Sequence, residues 1–247
     1  MQRRKLIALL NNKLTPWQFQ DSAPNGLQIE GTSTVNQLLT AVTASQAVIE
    51  EAIKIQANTL LVHHGYFWKS ESPVITGVKK QRIQMLLANQ INLIAYHLPL
   101  DAHLELGNNA MLAKKLGWQV KGQFGEQQLL WHGSTQPVQA TDFVNTIGQT
   151  LNRAPTVLGN LARTIQHIAW CTGAAQYDFS EAIALGVDAF VTGEVSEPNY
   201  HLAQESGVLF VAAGHHATEC YGIRALGDWL SQQTSLLVQH SQQLNPI

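Results

Sequence analysis

The sequence predicts an α/β protein made of two pseudo-symmetric α/β halves, each with a mostly parallel or mixed sheet covered by helices. Apolar runs of strand length alternate with helix-like segments along the 247 residues, an order typical of parallel sheets covered on both faces. Residues 42–101 and 172–219 also repeat each other's layout, with polar residues at corresponding strand ends. Because a folded duplication brings such ends face to face, we expect a metal site at the carboxyl ends of the strands, between the halves.

The repeat shows as two constant offsets. Glu51 leads through an apolar run into His63-His64-Gly65, and Glu181 leads into Thr192-Gly193-Glu194, at an offset of 130 residues. Further along, an offset of 118 residues relates two pairs that follow apolar runs, His97 with Asp101 and His215 with Glu219. The histidines and carboxylates of both halves therefore fall at equivalent places in the predicted fold.

The elements follow from the apolar pattern in chain order. Leu6, Leu9 and Leu10 share one face of a first helix over residues 2–13, which Thr15-Pro16 ends. Asn25-Gly26 favours a tight turn before a short strand. The strands are predicted at 27–29, 38–44, 58–63, 91–96, 128–132, 164–171, 187–192, 208–213 and 235–239, and the further helices at 45–56, 78–90, 106–116, 138–151, 177–185, 197–206 and 218–231.

A domain boundary is predicted at Gly122 to Gly125, which gives a first α/β domain over 1–124 and a second over 125–247. No Pro/Ser-rich linker marks this boundary. The final segment could pack on the second half or return to the first. The sequence leaves both arrangements open.

The composition predicts an ordinary cytoplasmic globule. Apolar residues make up 45% of the chain, which is enough for a sizeable core. Only 13% of residues are charged and the net charge is −2, so nucleic-acid binding is not supported by net charge. The chain has 2 cysteines and no apolar run long enough for a signal or membrane segment. We expect reduced thiols, no membrane association and a homo-oligomer.

The adjacent histidines His63 and His64 end an apolar run. Neighbouring side chains of a strand point to opposite faces, so we expect the strand to break there, with Gly65 supplying the backbone freedom. A turn with two hydrogen-bonded imidazoles is the alternative. The matching polar residues at three other strand ends favour a shared site.

The pairs His97/Asp101 and His215/Glu219 offer further ligands. Pro99 predicts a loop between the first two residues, and a helix starting near Gly214 would put the second two on one face, one turn apart. The alternatives are that Asp101 caps a helix, that His97 donates to a backbone carbonyl, and that Glu219 is a solvated residue near a helix N-terminus, where the helix dipole favours a carboxylate.

Together these residues favour metal chemistry. Imidazoles and carboxylates without a nearby thiolate suit two divalent ions of the Fe, Mn, Co or Zn class. Two close metals activate a water, which indicates hydrolysis, with His97 as the residue that moves a proton. Glu194 faces the same end as His64 by the repeat and would support a ligand or replace one lost from one half. The predicted metal ligands are His63, His64, Asp101, His215 and Glu219.

Several motifs, in order, resemble those of the Nif-three-like dinuclear-metal family, whose bacterial members are often labelled GTP cyclohydrolase I type 2 homologues. The resemblance covers nearly the whole chain and implies a two-domain α/β protomer, a ring-shaped hexamer and a di-metal site at the five ligands above. The chain resembles the family's short form, without the domain inserted in longer members. The motifs are DSAPNGLQIEG at Asp21–Gly31, LVHHG at Leu61–Gly65, HLPLD at His97–Asp101, Gly107-Asn108-Asn109, Thr192-Gly193-Glu194 and GHHATE at Gly214–Glu219.

The predicted function is a di-metal-dependent hydrolase of a small molecule, with a nucleotide as the expected substrate and GTP cyclohydrolase-like activity implied by family analogy. GTP cyclohydrolase I is associated with a cysteine-and-histidine zinc site. In this chain the sequence does not place Cys171 and Cys220 near the proposed ligands. The alternative is a non-catalytic metal-binding regulatory or scaffold hexamer that binds single-stranded DNA. Purely structural histidines are a third interpretation.

Overall fold

The computed structural model describes residues 1–247 and has nine α-helices and eleven strands. Short 3-10 turns lie at Pro16–Gln18, Glu126–Gln128 and Gln176–Asp178. The elements in chain order are α1 Arg3–Leu14, β1 Gly26–Ile29, β2 Gln37–Thr43, α2 Gln46–Lys54, β3 Thr59–His64, α3 Gly77–Ala88, β4 Asn92–Ala95, α4 Leu98–Ala102, α5 Asn108–Leu116, β5 Gln119–Phe124, β6 Leu130–Gln139, α6 Ala140–Leu151, β7 Thr156–Leu158, β8 Thr164–Trp170, α7 Phe179–Ala184, β9 Ala189–Thr192, α8 Glu197–Ser206, β10 Leu209–Ala212, α9 His215–Gln233 and β11 Leu237–His240.

The first compact unit comprises residues 1–107 and 222–244 and contains a five-stranded sheet in the order β1-β4-β3-β2-β11. The strands β2, β3, β4 and β11 run parallel, and β1 pairs antiparallel with β4. Leu39, Leu60 and Leu93 lie side by side across three strands and are fully buried. Because helices cover both faces, the central strand reads as a continuous apolar run rather than an alternating one.

The second compact unit comprises residues 108–221 and 245–247 and contains a six-stranded sheet in the order β5-β6-β8-β9-β10-β7. The strands β8, β9 and β10 run parallel, while β6 pairs antiparallel with both β5 and β8. Ile168, Ala189 and Leu209 form a fully buried row across the parallel strands. Trp131 faces Trp170 across β6 and β8, and both are buried.

The two units share one topology, as the repeat predicts. In each, a strand at one end of the sheet precedes three parallel strands and pairs antiparallel with the last of them: β1 with β4, and β7 with β10. The parallel strands follow the orders β2-β3-β4 and β8-β9-β10. The predicted α/β architecture, with two mixed sheets covered by helices, is therefore confirmed.

Two helices, α2 and α8, begin at residues whose side chains cap them. The hydroxyl of Ser45 accepts from the Val48 amide at 3.3 Å at the start of α2. Ser196 and Asn199 form a capping box at the start of α8, and Gly207 ends that helix with a positive φ of 71°. The longest helix, α9, has 19 residues. No helix combines the length and apolar character needed to cross a membrane.

Three elements differ from the sequence-based expectation. The predicted loop after His97 is wrong: residues 98–102 form α4, with Pro99 in its first turn. Proline is tolerated there because the first amides of a helix have no partner within it. No strand is predicted at β5, because its first three residues are exposed and it lacks the alternation typical of a strand. The three-residue strand β7 gives no pattern either.

The final segment returns to the first sheet. Strand β11 pairs in parallel with β2, with Leu237 opposite Gln37. Of the two arrangements that the sequence left open, the structure has the one in which the final segment packs on the first half. The compact units follow the sheets, so β5 belongs to the second unit with β6. The division into domains 1–124 and 125–247 stays a prediction.

Candidate metal centre

The two adjacent histidines lie at the carboxyl end of β3, and the strand continues through both of them. His63 is fully buried, and its Nδ1 lies 3.0 Å from the Tyr96 carbonyl oxygen. A carbonyl only accepts, so Nδ1 carries the proton and Nε2 is the electron-pair donor, as in most imidazole ligands. This Nε2 lies 3.5 Å from Asp101 Oδ1. His64 Nδ1 lies 3.3 Å from the Thr43 hydroxyl.

The strand does not break between the two histidines as expected: β3 runs through His64 and ends directly before Gly65. The two imidazole rings lie 4.4 Å apart without such a break, and the φ of Gly65 is not positive. Gly65 instead permits a close approach: a Cβ at this position would lie 2.1 Å from Gln28 Oε1. The same Oε1 accepts from the Tyr66 amide at 2.7 Å, so Gln28 fixes the loop directly after the histidines.

His97 and Asp101 follow the neighbouring strand β4. Asp101 lies in α4 and is buried, with 6% of its surface exposed. Ring centroids place His97 5.2 Å from His63 and 5.7 Å from His64. One ligand atom from each of these three histidines lies within 4.8 Å of the others, a spacing that could hold a metal ion. Trp68 meets the His97 ring edge-on at 4.9 Å.

Asp21 contacts the His97 ring at its Nδ1 nitrogen. Its Oδ1 lies 2.7 Å from His97 Nδ1, and its Oδ2 accepts from the Leu98 amide at 3.0 Å and from Asn25 Nδ2 at 2.9 Å. Burial works to raise the pKa of this carboxyl, but the hydrogen bond and electrostatic attraction of His97, with the bonds from Asn25 and Leu98, hold the pKa well below its usual range. Asp21 is therefore an ionised acceptor.

In the second unit, His215 and Glu219 form the corresponding pair. His215 begins α9, so the two side chains are one helical turn apart, with His215 Nε2 3.0 Å from Glu219 Oε2. Glu194, which follows β9, lies 2.6 Å from the other ring nitrogen, Nδ1. Burial works to lower the pKa of His215, but the hydrogen bonds and charges of Glu219 and Glu194 raise it to about 9. The imidazole is thus protonated between two carboxylates at neutral pH.

Two glycines make room for this pair. Gly173 has a φ of +72°, and a Cβ there would lie 2.2 Å from Glu219 Oε1 and 3.3 Å from His215 Nε2. A Cβ at Gly193 would lie 2.6 Å from the His215 Cα. The turn at Gly173 is fixed by Asn109, whose Oδ1 accepts from the Thr172 amide at 3.0 Å. The backbone is thereby kept close to the carboxylate of Glu219.

The structure brings together the predicted residues of each unit. In the first unit, His63, His64 and His97 cluster, and Asp101 lies beside His63. In the second unit, His215 contacts both Glu219 and Glu194, which gives Glu194 the supporting position. The role of these side chains as ligands stays a prediction. Sequence reasoning missed Asp21, Gln28 and Gly173, although the first two lie in the DSAPNGLQ motif.

The donor sets fit a divalent transition metal. They consist of imidazole nitrogens and carboxylate oxygens, which suit Mn, Fe, Co and Zn. His63 Nε2 lies 3.5 Å from the buried carboxylate of Asp101, and His215 Nε2 lies 3.0 Å from that of Glu219. Each pair would offer a cation one imidazole nitrogen and one carboxylate oxygen once any shared proton is released.

Two α/β units of one topology, each with imidazole and carboxylate groups at the carboxyl ends of its parallel strands, define an α/β protein with candidate metal-binding clusters. A family model matches residues 1–246. The chain belongs to the DUF34/NIF3 family, named for NGG1p interacting factor 3.

Relatives of known name and structure agree with this membership. The chain is 50% identical over 247 residues to the GTP cyclohydrolase 1 type 2 homolog of Escherichia coli K12, with 100% of both chains covered. A solved structure described as protein ybgI, of unknown function, is 49% identical, with a TM-score of 0.97 and full coverage of both chains. A solved structure from Thermus thermophilus is 31% identical, with a TM-score of 0.90 and full coverage of both chains.

Proposed function

We propose that this chain is a metal-dependent hydrolase of a small molecule and that a nucleotide is its substrate. The observation that carries the proposal is the cluster of His63, His64 and His97, whose ring nitrogens lie within 4.8 Å of one another at the ends of two parallel strands, so the proton-moving His97 lies beside the two proposed ligands. Ligands bind at the carboxyl ends of such strands in open α/β sheets. In this proposal two divalent cations are held by His63, His64, Asp101, His215 and Glu219.

The proposed ligands are three imidazoles and two carboxylates. The first unit offers two imidazoles and one carboxylate as ligands, and the second offers His215 and Glu219. The five residues of the proposal give two ions two or three protein ligands each and leave positions for water and substrate. The repeat supports this view because it places His97/Asp101 and His215/Glu219 at equivalent strand ends.

The surrounding residues prepare these ligands. The Tyr96 carbonyl fixes the proton of His63 on Nδ1, and Glu194 does the same for His215. Asp101 and Glu219 are buried at 6% and 3% exposure, so their carboxylates are held away from bulk water. Two bound divalent ions would supply Lewis acidity and an activated water. His97, at 19% side-chain exposure, would move the proton during hydrolysis.

The substrate class rests on the relatives. Those at about 50% identity are named GTP cyclohydrolase 1 type 2 homolog, a name that records likeness rather than a measured reaction. The name supports nucleotides as the first compounds to test. A phosphate-bearing substrate also suits a centre of divalent cations, which stabilise negative charge on phosphoryl oxygens.

We propose a cytoplasmic hexamer as the working form. The family resemblance supports the hexamer, and exposed apolar side chains such as Trp17, Leu104 and Tyr177, at 66%, 68% and 77% exposure, are suited to burial in subunit contacts. Both cysteines are thiols, which fits a reducing compartment. Analytical ultracentrifugation of the purified chain tests the hexamer: a monomer at micromolar concentration would contradict it.

The activity is tested with metal-loaded protein and matched variants. Purified chain loaded with Mn²⁺ is incubated with nucleotides, phosphodiesters, cyclic amides and short peptides, and products are identified by mass spectrometry. Turnover should be lost in Asp101→Asn and Glu219→Gln. It should persist in Glu197→Gln, because Glu197 forms the same kind of i,i+4 pair with His201 on an exposed helix face, at 80% and 62% side-chain exposure.

Absence of turnover in the metal-loaded wild type across all these classes would contradict the hydrolase. Single-stranded DNA binding that survives Asp101→Asn and Glu219→Gln in such an inactive protein would favour the regulatory or scaffold alternative.

A further inference from the structure

The segment Asp21–Gln28 contacts both histidine-bearing loops of the first unit, yet none of its side chains has a role in the proposed chemistry so far. Gln28 accepts from the Tyr66 amide and donates to the Tyr66 carbonyl at 3.1 Å, just after His63 and His64. Asn25 Oδ1 accepts from the His97 amide at 2.8 Å. Asp21 contacts the His97 ring itself. The segment thus fixes the positions of both loops.

Asp21 can only accept in this arrangement. Its side chain is 4% exposed, and apart from the His97 ring every partner of its carboxylate is an N–H donor: the Asn25 side chain and the amides of Leu98, Ser22 and Ala23. An ionised carboxylate has no proton to give. The His97 nitrogen that faces it, Nδ1, must therefore carry a hydrogen, and Nε2 becomes the electron-pair donor of the neutral ring.

The second unit contains the same arrangement at the equivalent histidine. His215 corresponds to His97 in the repeat, and its Nδ1 lies 2.6 Å from Glu194, as the Nδ1 of His97 lies 2.7 Å from Asp21. The two carboxylates come from different places in the repeat, since Glu194 follows β9 and Asp21 precedes β1. Two unrelated positions thus supply the same contact, so the contact is not merely inherited through the duplication.

We propose that Asp21 is a positioning residue that fixes the proton of His97 on Nδ1, so that Nε2 is the atom that accepts a proton in the reaction. This inference rests on the proposed function for the role of His97 in hydrolysis, but the tautomer itself does not depend on a bound metal. A purely structural Asp21 would only cap α4 through the Leu98 amide, and the ring tautomer would not depend on its charge.

The amide variant separates these roles. Asn at position 21 keeps the size of the side chain and one accepting oxygen for the Leu98 amide. Its NH₂ group can donate to Nδ1, which favours the tautomer with the hydrogen on Nε2. Asp188→Asn is the matched control. Asp188 also accepts from two backbone amides, of Gln166 at 3.0 Å and His167 at 2.8 Å, and its side-chain partner is Arg163 rather than an imidazole.

The experiment is histidine ¹⁵N NMR on metal-free full-length protein at a pH where the ring carries one proton. The His97 signals are assigned by their loss in His97→Asn. We expect a protonated Nδ1 in the wild type and Asp188→Asn, a shift of the hydrogen to Nε2 in Asp21→Asn, and restoration of protonated Nδ1 in Asp21→Glu. In Mn²⁺-loaded protein, Asp21→Asn should keep the wild-type metal stoichiometry and lose about 100-fold or more in kcat with little change in KM.

A wild-type His97 with its hydrogen on Nε2, or an Asp21→Asn protein that keeps it on Nδ1, would overturn the proposal. If Asp21→Asn fails to fold, the wild-type spectrum still tests the proposal, because a His97 with its hydrogen on Nε2 would overturn it. A wild type without metal or turnover would instead count against the proposed function, and the tautomer result would stand apart from it.

Discussion

The raised pKa of His215 predicts a specific pH dependence for the metal-free protein. The pKa rises from 6.5 to about 9, because Glu219 and Glu194 flank the ring and outweigh its burial. A group with a raised pKa stabilises the fold fully below its unfolded pKa, and that stabilisation is lost as the pH rises through its folded value. The free energy of unfolding should therefore fall between about pH 6.5 and 9, by at most about 3.4 kcal/mol at 1.36 kcal/mol per unit.

The assay is urea unfolding of chelator-treated protein at pH values across this window. His215→Gln should remove most of the pH dependence. His201→Gln should leave it in place, because His201 makes only an exposed pair with Glu197. A metal-free His215→Gln protein with the same loss of stability as the wild type between these pH values would refute the reasoning.

Three further predictions concern the cation and the glycines. Mn²⁺ binding should release a proton near pH 7.5, because a cation must displace the Nε2 hydrogen of His215. The proton release is measured in weak buffer, and proton uptake or no change would contradict the prediction. Gly173→Ala should weaken Mn²⁺ binding about 10-fold or more in calorimetry, since its Cβ would lie 2.2 Å from Glu219 Oε1; wild-type affinity would count against the site. Gly65→Ala should lower the free energy of unfolding by about 1–3 kcal/mol, because its Cβ would lie 2.1 Å from Gln28 Oε1. Adding Gln28→Ala should recover part of this loss of stability. No recovery in the double variant would show that the strain lies elsewhere.

The sequence predicts the parallel core well because burial on both faces leaves an unmistakable apolar run. The run before His63 and the run before His215 both form interior strands of their sheets. The internal repeat predicts more than either run alone, since it relates strands whose pairing cannot be read from local propensity. The parallel pairs β3-β4 and β9-β10 follow the repeat, whereas the antiparallel strands β1 and β7 lie outside the repeated residues.

The errors have local physical causes. Pro99 is a typical helix breaker, yet the first turn of α4 does not need its missing amide. Strand β5 forms through pairing with β6 rather than through an apolar face of its own, and its exposed Gln119 and Lys121 give no strand signal. Tertiary pairing decides such edge strands, so a local pattern cannot.

The candidate site is predictable in its residue types but not in its supporting contacts. Histidines and carboxylates at strand ends are visible in the sequence. Their hydrogen-bond partners are not, because Asp21 reaches His97 across 76 positions and Gln28 reaches Tyr66 across 38. Such contacts depend on the packing of β1 against β4, which only the folded chain provides.

The central claim is that the five predicted ligands hold two divalent cations, and anomalous diffraction from crystals grown with Mn²⁺ tests it most directly. The account predicts two manganese peaks, each contacted by residues from the set His63, His64, Asp101, His215 and Glu219, and the loss of both peaks in Asp101→Asn/Glu219→Gln. Manganese bound elsewhere, or no peak beside His63 in a fully loaded crystal, would contradict it.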